Sequence, residues 1–454
     1  MAEREPLKNQ ERVVAVIGLG YVGLPLALAF ARAGFRVVGF DTDPAKVEQL
    51  NAGTSYSKAI PAEDLSGLVR AGQFRASGEF ARLREAQAIL VSVPTPLSEQ
   101  REPDLQFLRA TAATIAQQLQ RGQLVVVEST SYPGTTEEVV LPLLEASGLR
   151  CPPQADSPGC ETSSNPLSGA TPDFYLAFSP ERIDPGNTRY RLTEIPKLIG
   201  GVNPASAERA RALYAQVFAR VVVVSSAQVA EMAKLLENIY RAVNIALVNE
   251  LKLLCQRMGV DAWEVIEAAA TKPFGFMPFA PGPGLGGHCI PVDPFYLAWK
   301  ARQYDFPTRF IELAGEINTA MPHHVVAAVA EALNQRQQAL RGARVLLLGV
   351  AYKKDVDDLR ESPALKIMEL LEARGATVAY NDPHVPALPV TRRYDFSRLR
   401  SVPLERLADY DCVVIVTDHS AYDWGAIVAQ AQLVVDTRNA TRAVRFGRSN
   451  VVLC

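Results

Sequence analysis

The sequence lacks an excess of either charge: 47 Lys and Arg stand against 49 Asp and Glu, and the net charge is −2. No basic field therefore exists to attract nucleic acid or an anionic membrane surface. The chain also lacks any apolar run of about 18 residues, so no segment is predicted to span a bilayer. The charged residues 1–12, MAEREPLKNQER, predict neither a signal peptide nor an anchor.

Cysteine and histidine are scarce, with 6 and 5 residues in a chain of 454. The cysteines have no disulfide or zinc spacing, which predicts reduced thiols and a cytoplasmic protein. Cys151 and Cys160 lie in a segment rich in Pro, Ser and Gly (151–173), which we interpret as a surface excursion. Two idle thiols are favoured there over a regulatory disulfide. The histidines are dispersed, so no metal site is expected.

Residues 1–205 are predicted to form a first α/β domain. Short apolar runs at 13–20, 35–41, 88–95, 123–130 and 174–181 alternate with helical patterns. This alternation is typical of βαβ units with a parallel sheet.

Residues 206–335 lack a strand signal and are predicted to be helical. The segment 227–259 carries apolar residues at helical spacing, on more than one face. Such a helix spans two domains or packs against a second subunit, and both uses are compatible. We therefore expect a homodimer or a higher homo-oligomer through this helix.

Residues 336–454 repeat the order of the first domain. VLLLGVAY, TVAYNDPH, VVIVTDHS and LVVDTRN correspond to VVAVIGLG, RVVGFDTDP, ILVSVPT and LVVVEST. The predicted fold class is therefore α/β, with two Rossmann-like doubly wound domains joined by a long helical central segment. The second copy has lost two of the three glycines of GLGYVG, so the copies are expected to bind different ligands.

The strongest cofactor signal is GLGYVG (18–23), between a predicted strand and a predicted helix. Its glycines permit a tight turn, close approach of a pyrophosphate and helix–strand packing. Asp41 ends the second strand, where an acid binds the ribose hydroxyls of NAD and repels the extra phosphate of NADP. Lys46 and the strand-end residues Pro94 and Thr95 are further candidates. The predicted NAD site comprises Gly18, Gly20, Tyr21, Val22, Gly23, Asp41, Lys46, Pro94 and Thr95.

The segment GLGGHCIPVD (284–293) places a single cysteine in a constrained glycine-rich turn. A nucleophilic thiol needs such access, whereas a packing thiol does not. Cys289 is therefore predicted to be a nucleophile, and His288 either tunes the thiolate or contacts substrate.

Three further groups carry candidate chemistry. Lys234 and Asn238 share one face of the long helix, where the lysine could stabilise an oxyanion and the amide could hold water. Glu181 follows a strand at the ligand edge of the sheet and could act as a general base. The segment 349–362 replaces glycines by basic residues, which suits a nucleotide diphosphate.

Together these blocks resemble the UDP-glucose/GDP-mannose dehydrogenase family, the nucleotide-sugar 6-dehydrogenases. The motifs that carry the resemblance are GLGYVG, EST (128–130), SPER (179–182), AEMAKLLEN (230–238), GGHC (286–289) and YKKDVDDLRES (352–362). The resemblance implies an NAD domain, a helical dimerising domain with the catalytic Lys and Cys, and a C-terminal UDP-sugar-binding domain.

The resemblance also implies a four-electron oxidation of a C6 alcohol to a carboxylate. Cys289 would form a thiohemiacetal and then a thioester, and Lys234 would stabilise the oxyanion. Asn238, Thr130, Asp293 and Glu181 would handle water and protons. Arg360 would lie at the cofactor. The remaining substrate contacts implied are Phe279, Gly286, His288, Tyr352, Lys353 and Arg438, besides Glu181, Lys234 and Asn238.

The block 272–297 most resembles bacterial UDP-N-acetylglucosamine 6-dehydrogenases of surface-polysaccharide (lipopolysaccharide) synthesis, and His288 before the cysteine is similar to enzymes for N-acetylated sugars. UDP-N-acetylmannosamine and UDP-glucose are alternative substrates. A two-electron hydroxy-acid dehydrogenase and a non-catalytic NAD-sensing scaffold are alternatives from other classes.

Overall fold

The computed structural model describes residues 12–56, 60–98, 100, 102–153, 171–183, 189–287, 290–391, 393–445 and 447–454. The chain forms two compact units, Met1–Leu236 and Glu237–Cys454. The predicted three-domain boundaries, after residues 205 and 335, stay a prediction.

The first unit is built on a twisted sheet whose central strands are apolar throughout. Its strands are β1 (Val13–Ile17), β2 (Arg36–Phe40), β3 (Phe74–Ser77), β4 (Ala88–Val91), β5 (Leu124–Val127), β6 (Tyr175–Phe178), β7 (Lys197–Gly201) and β8 (Val221–Val224). Their order is β3-β2-β1-β4-β5-β6-β7-β8. Strands β1, β4 and β5 are buried over their whole length, as expected where helices cover both faces.

Two expectations about this sheet are wrong. Strand β8 lies in the region expected to lack strands, and it pairs in parallel with β7. Three of its four valines are partly buried and Val223 is exposed, and so short a run at a sheet edge has no period to detect. Strands β6 and β7 are antiparallel, so the sheet is mixed rather than wholly parallel.

The helices of the first unit cover this sheet. They are α1 (Gly23–Arg32), α2 (Pro44–Asn51), α3 (Ala62–Arg70), α4 (Gln106–Ala116), α5 (Leu141–Glu145) and α6 (Pro204–Tyr214), and a single π-helical turn, Thr136–Val140, precedes α5. Helix α1 is apolar on most of its surface and packs in the core with Val14, Val16 and Phe35. This packing fixes the position of the α1 N-terminus above the sheet edge.

The composition around Cys151 predicted an exposed segment, and for Cys151 this prediction is wrong. The side chain is fully buried, and its Sγ lies 3.7 Å from Ser206 Oγ and 3.5 Å from Asn203 Nδ2. Burial raises the pKa of this thiol, although both hydrogen bonds oppose the shift. Cys255, Cys412 and Cys454 are also buried free thiols. Cys160 and most of the predicted excursion (154–170) lie outside the described residues.

The long central helix is present as predicted. Helix α7 (Ala227–Met258) has 32 residues, which at 1.5 Å per residue gives a length of about 48 Å. Its residues up to Leu236 belong to the first unit and the rest to the second.

The second unit combines helices with a smaller sheet. Its helices are α8 (Ala262–Ala270), α9 (Asp293–Ala301), α10 (Arg309–Asn334), α11 (Pro363–Ala373) and α12 (Trp424–Gln430), and its strands are β9 (Arg344–Leu348), β10 (Thr377–Asn381), β11 (Cys412–Ile415), β12 (Val434–Asp436) and β13 (Val451–Leu453). The order is β10-β9-β11-β12-β13, with all pairs parallel. The order β2-β1-β4-β5 of the first unit thus recurs, and the predicted fold class is confirmed. Within the described ranges, no helix combines the length and apolar content that a membrane span requires.

Candidate active site

The glycine turn between β1 and α1 has three different environments. Gly18 has a φ of +88°, and a Cβ there would collide with the Ser92 carbonyl. A Cβ on Gly23 would collide with the Gly18 carbonyl, whereas one on Gly20 would meet nothing within 4 Å. Gly18 and Gly23 thus allow close backbone packing. Gly20 leaves open space in front of the α1 N-terminus, where free N–H groups favour phosphate.

Asp41 follows β2 and lies beside this turn. Its Oδ2 accepts the Leu19 N–H at 3.1 Å, and its Oδ1 accepts the Asp43 N–H at 3.0 Å. Lys46 Nζ lies 3.6 Å from Asp41 Oδ2. The carboxylate keeps further lone pairs, so it can accept hydrogen bonds from ribose hydroxyls. These residues fit the adenosine half of NAD.

Tyr56 is a candidate that the sequence did not reveal. Its hydroxyl is buried and has no hydrogen-bond partner among the described residues. The Lys46 ammonium lies 5.8 Å from the ring centroid. Burial, together with the charge of Asp41, raises the pKa of Tyr56. A buried hydroxyl near Asp41 without a partner in the described part of the chain is available to hydrogen-bond a ligand oxygen. No local motif distinguishes it from a packing tyrosine.

The loops after β4 and β5 are tied together at the same sheet edge. Ser129 Oγ donates to the Val93 carbonyl at 2.8 Å and accepts the Val93 N–H at 2.9 Å. Thr95 is buried, Pro94 is exposed and Thr130 is partly buried. Pro94, Thr95 and Thr130, which are predicted to border the nicotinamide, therefore lie on two loops that Ser129 connects.

Glu181 lies just beyond β6, partly buried, and its carboxylate accepts the Ile183 N–H. Burial raises the pKa of Glu181, although the charges of Lys234 and Lys197 oppose this shift. Lys234 is itself buried on α7. The predicted base and the predicted oxyanion-stabilising lysine thus interact electrostatically within the first unit.

Behind Glu181 lies a buried ion pair that was not predicted. Lys197 Nζ is 2.6 Å from Glu128 Oε2 and donates to the Pro180 carbonyl at 3.3 Å. The Tyr214 hydroxyl donates to the other oxygen of Glu128. This network anchors the residue before Glu181. Glu128 belongs to the EST motif, but nothing in the sequence distinguishes Lys197 from other strand-end lysines.

Glu231 holds the π-helical turn against α7. Its carboxylate accepts the Gly134 N–H at 2.5 Å, the Thr136 N–H at 2.9 Å and the Thr136 hydroxyl at 2.7 Å. Burial raises the pKa of Glu231 to about 7 despite these hydrogen bonds. Glu231 lies within the AEMAKLLEN motif, but the sequence alone gives it no role.

Asn238 and Asp293, both predicted to be catalytic, contact each other in the second unit. The Asn238 amide nitrogen donates to Asp293 Oδ2, and the Asn238 amide oxygen accepts from Arg241. Asn238 and Asp293 are almost fully buried. Arg241, one helical turn after Asn238, fixes the amide orientation and was not predicted.

The glycine-rich segment before the predicted nucleophile packs against the loop after β9. A Cβ on Gly287 would lie 2.9 Å from the Tyr352 ring, and one on Gly286 would lie 2.6 Å from Tyr352 Cβ. Gly287, with φ +90°, donates its N–H to the Arg360 carbonyl at 2.9 Å. Predicted substrate residues Gly286 and Tyr352 are therefore neighbours. His288 and Cys289 lie outside the described residues.

The remaining predicted residues occupy separate parts of the second unit. The Arg360 guanidinium forms a two-pronged pair with Asp358, with Nη2 2.6 Å from Oδ2. Arg438 Nε lies 3.5 Å from Asp418 Oδ1. Phe279 packs at 5.9 Å, centroid to centroid, on the Tyr240 ring, and Lys353 is partly buried.

The fold brings together two histidines that are dispersed in sequence. Possible ligand atoms of Asp355, His384 and His419 lie within 4.8 Å of one another. However, His419 Nδ1 accepts the Asp355 N–H at 2.9 Å, and His419 Nε2 lies 3.0 Å from Asp382 Oδ2. Both ring nitrogens of His419 therefore have protein partners, and we interpret the group as a hydrogen-bonded link between loops. His323 and His324 are exposed on α10.

Comparison with known proteins gives three domain matches in chain order. The models of the UDP-glucose/GDP-mannose dehydrogenase family match residues 12–218 (NAD binding domain), 228–320 (central domain) and 346–443 (UDP binding domain).

Relatives cover almost the whole chain. The UDP-N-acetyl-D-glucosamine 6-dehydrogenase of Pseudomonas aeruginosa is 36% identical over 90% of this chain and 91% of its own. The NDP-N-acetyl-D-galactosaminuronic acid dehydrogenase of Ralstonia nicotianae is 36% identical, with 96% and 97% covered. Among solved structures, the UDP-D-ManNAc dehydrogenase of Pyrococcus horikoshii is similar with a TM-score of 0.81 at 34% identity, covering 94% of this chain and 96% of that one.

Proposed function

Because the chain belongs to the UDP-glucose/GDP-mannose dehydrogenase family and is an NAD-dependent nucleotide-sugar dehydrogenase, we propose that it oxidises the C6 alcohol of a UDP-N-acetylhexosamine to the uronic acid, with UDP-N-acetylglucosamine favoured. The observation that carries the N-acetylhexosamine part of this proposal is the 36% identity with both a UDP-N-acetyl-D-glucosamine 6-dehydrogenase and an NDP-N-acetyl-D-galactosaminuronic acid dehydrogenase. The preference for UDP-N-acetylglucosamine rests on the sequence block 272–297. The product would be a building block of a bacterial surface polysaccharide.

The chemistry needs a covalent step on the protein. NAD, when bound, supplies the hydride acceptor for both oxidations. The Cys289 thiolate adds to the C6 aldehyde and forms a thiohemiacetal, whose oxidation leaves a thioester. Water then adds to the thioester carbonyl, the C–S bond breaks, and the carboxylate leaves with the thiolate restored.

Lys234 would stabilise the negative oxygen that develops at C6. Its position supports this role, because a buried ammonium acts more strongly than one in water. The raised pKa of Glu181 suits a group that takes up and releases a proton during the reaction.

Asn238 and Asp293 would position water. Their hydrogen bond supports a joint role, since the carboxylate fixes the amide that would hold a water molecule. Arg241 holds the other end of that amide. Tyr352, Lys353, Phe279, Gly286, His288 and Arg438 are proposed to contact the nucleotide sugar, and Arg360 to lie at the cofactor.

A homodimer through α7 and its neighbouring helices is part of the proposal. Large apolar side chains of the second unit are exposed, among them Leu247 at 59% and Phe310 at 81%. On α7, Tyr240, Leu247 and Leu254 recur at intervals of seven residues, which aligns them along one stripe. A second copy of the chain is the occupant that such a stripe fits best.

The buried thiols Cys151, Cys255, Cys412 and Cys454 support a reducing, cytoplasmic location.

The first experiment measures NADH formed per sugar consumed with UDP-N-acetylglucosamine, UDP-N-acetylmannosamine and UDP-glucose. Two NADH per N-acetylglucosamine sugar, with the others much slower, is the expected result. Faster turnover of UDP-N-acetylmannosamine would move the assignment to that sugar. One NADH with a free aldehyde would contradict the thioester route, and no turnover would favour the scaffold.

Cys289→Ser is the matched variant, and Cys412→Ser, a buried thiol in β11, is the control. We expect loss of the second NADH in the first and full stoichiometry in the second. A hydroxy-acid dehydrogenase would retain its turnover in both.

A further inference from the structure

Lys252 is a buried lysine for which no role has been assigned. It lies on α7, and its side chain is 3% exposed. Its ammonium has no hydrogen-bond partner among the described residues. An unpaired buried charge costs several kcal/mol, so a protein rarely keeps one without a ligand or a function.

The neighbours of Lys252 on α7 show what this helix face contacts. Asn249, three residues earlier, accepts the Gly282 N–H at 2.9 Å. Gln256, four residues later, donates to the Leu453 carbonyl at 3.4 Å. Lys252 therefore lies between the glycine-rich segment before Cys289 and the end of β13.

A basic side chain of the predicted substrate site lies at the same place. A Cβ on Gly282 would be 2.5 Å from Arg438 Nη1, so the guanidinium lies directly beside this backbone. Arg438 is also one of the charges that act on Lys252. Two cations thus converge beside one glycine-rich turn.

The nearby acid Asp436 makes no hydrogen bond with Lys252. Asp436 acts on Lys252, but its two oxygens already accept the N–H groups of Arg438, Ala440 and Thr441 and the Thr441 hydroxyl, at 2.8 to 3.2 Å. The other titratable groups acting on or near Lys252 are Cys454 and His324. Asp418 pairs with Arg438 at 3.5 Å, whereas the Lys252 ammonium has no hydrogen-bond partner among the described residues, which suits an additional anion.

We propose that Lys252 is a positioning residue of the nucleotide-sugar site, and that its buried charge behind Arg438 strengthens binding of the diphosphate. This inference rests on the proposed function, because it takes UDP-sugar as the ligand. The diphosphate is negatively charged and is attracted by Lys252 and Arg438, whereas uridine carries no charge. At low dielectric such a charge acts over several ångströms without direct contact.

The proposal also predicts a pH effect. Burial lowers the pKa of Lys252, the charge of Cys454 opposes this shift and Arg438 reinforces it. A bound diphosphate raises the pKa again, so UDP binding takes up a proton. UDP affinity is then highest at pH values below the pKa that Lys252 has in the unliganded protein, and it falls as the pH rises through that pKa.

The test compares Lys252→Met with Lys366→Met in the full-length protein. Lys366 is a partly exposed lysine that pairs with Glu369. Calorimetric titration with UDP and with uridine, from neutral pH upward, gives the affinities and the proton uptake. For Lys252→Met we expect UDP affinity to fall about tenfold, uridine affinity to stay within about twofold, the UDP pH slope to flatten and the Tm not to fall.

Each alternative result has a definite meaning. Unchanged UDP affinity in Lys252→Met would overturn the inference. Equal loss of UDP and uridine affinity with a lower Tm would show a purely structural lysine and would also overturn it. An active wild-type enzyme in either case leaves the proposed function intact. A wild-type protein that binds no UDP and oxidises no UDP-sugar would overturn both.

Discussion

Each of the two sheets has an aspartate at the equivalent strand end, but the two aspartates have different surroundings. Asp41 follows β2, and Asp382 follows the equivalent strand β10. Leu19 donates its N–H to Asp41 at 3.1 Å, and Val350 donates to Asp382 at 2.8 Å. Yet the Asp41 side chain is 11% exposed, whereas that of Asp382 is 0% exposed.

The difference lies in the number of protein donors. Asp382 also accepts the N–H groups of Ala351, His384 and Val385, and it pairs with His419. Asp41 accepts one further N–H, from Asp43. A carboxylate whose acceptor positions are all occupied by protein donors cannot bind a ribose. The turn after β10 is therefore structural, whereas Asp41 after β2 keeps the acceptor capacity that the proposed NAD site requires.

The largest effect is expected for Asp382→Asn. An amide cannot accept all five hydrogen bonds and places an N–H₂ against backbone donors, so the free energy of unfolding should fall by about 3–5 kcal/mol. Urea unfolding measures this. Asp41→Asn, the equivalent change in the first unit, should cost about 1 kcal/mol or less. Equal losses in both variants would contradict the comparison.

The effect of Asp382→Asn on stability should also depend on pH. Burial alone would raise the pKa of Asp382, but the hydrogen bond and charge of His419 and the backbone N–H groups lower it overall. Its contribution to stability is therefore present above the ordinary carboxyl pKa and is lost as the pH falls through the lower, folded-state value. The stability difference between wild type and Asp382→Asn should shrink in acid.

Glu231 is the opposite case among buried acids, and the next largest effect is expected there. Its pKa is raised to about 7. Its contribution is thus fully present below the unfolded pKa and is lost as the pH rises through 7. Wild type should lose about 3 kcal/mol relative to Glu231→Gln between pH 4.5 and 7.5. Parallel pH profiles of unfolding free energy would contradict this.

For cofactor choice, we expect Asp41→Asn to raise the KM for NAD about tenfold and to narrow the preference for NAD over NADP, because the repulsive charge is gone. Steady-state kinetics with both cofactors measure this. Asp382→Asn should leave the cofactor preference unchanged. A retained preference in Asp41→Asn would mean that another group selects the cofactor.

The smallest effect on stability is expected for Gly20→Ala. The new methyl group meets open space, so the free energy of unfolding should change by less than about 1 kcal/mol while NAD binding weakens severalfold. Gly18→Ala, at φ +88° and against the Ser92 carbonyl, should destabilise the protein clearly. Thermal unfolding and NAD titration of both variants separate the two roles.

The sequence predicted the fold correctly where a clear hydrophobic periodicity is bounded by typical turn residues. The strands flanking Gly18, the helix α7 and the repeated strand order all have strong local patterns. Prediction failed for Val221–Val224, which is too short to have a period, and for Cys151, whose burial depends on Ser206 and Asn203, about 50 residues away in sequence. Partners such as Lys197 for Glu128, or Arg241 for Asn238, are set by tertiary packing and leave no local pattern.

Burial of four thiols makes the native protein unusually simple to label. Alkylating reagents attack exposed thiolates, and Cys151, Cys255, Cys412 and Cys454 are all inside the fold. A reagent that modifies the folded chain thus reports on Cys160 or Cys289. Replacing Cys160 by Ser would leave a protein in which the rate of alkylation, followed by mass spectrometry, reads the reactivity of Cys289 directly at each pH and with each nucleotide.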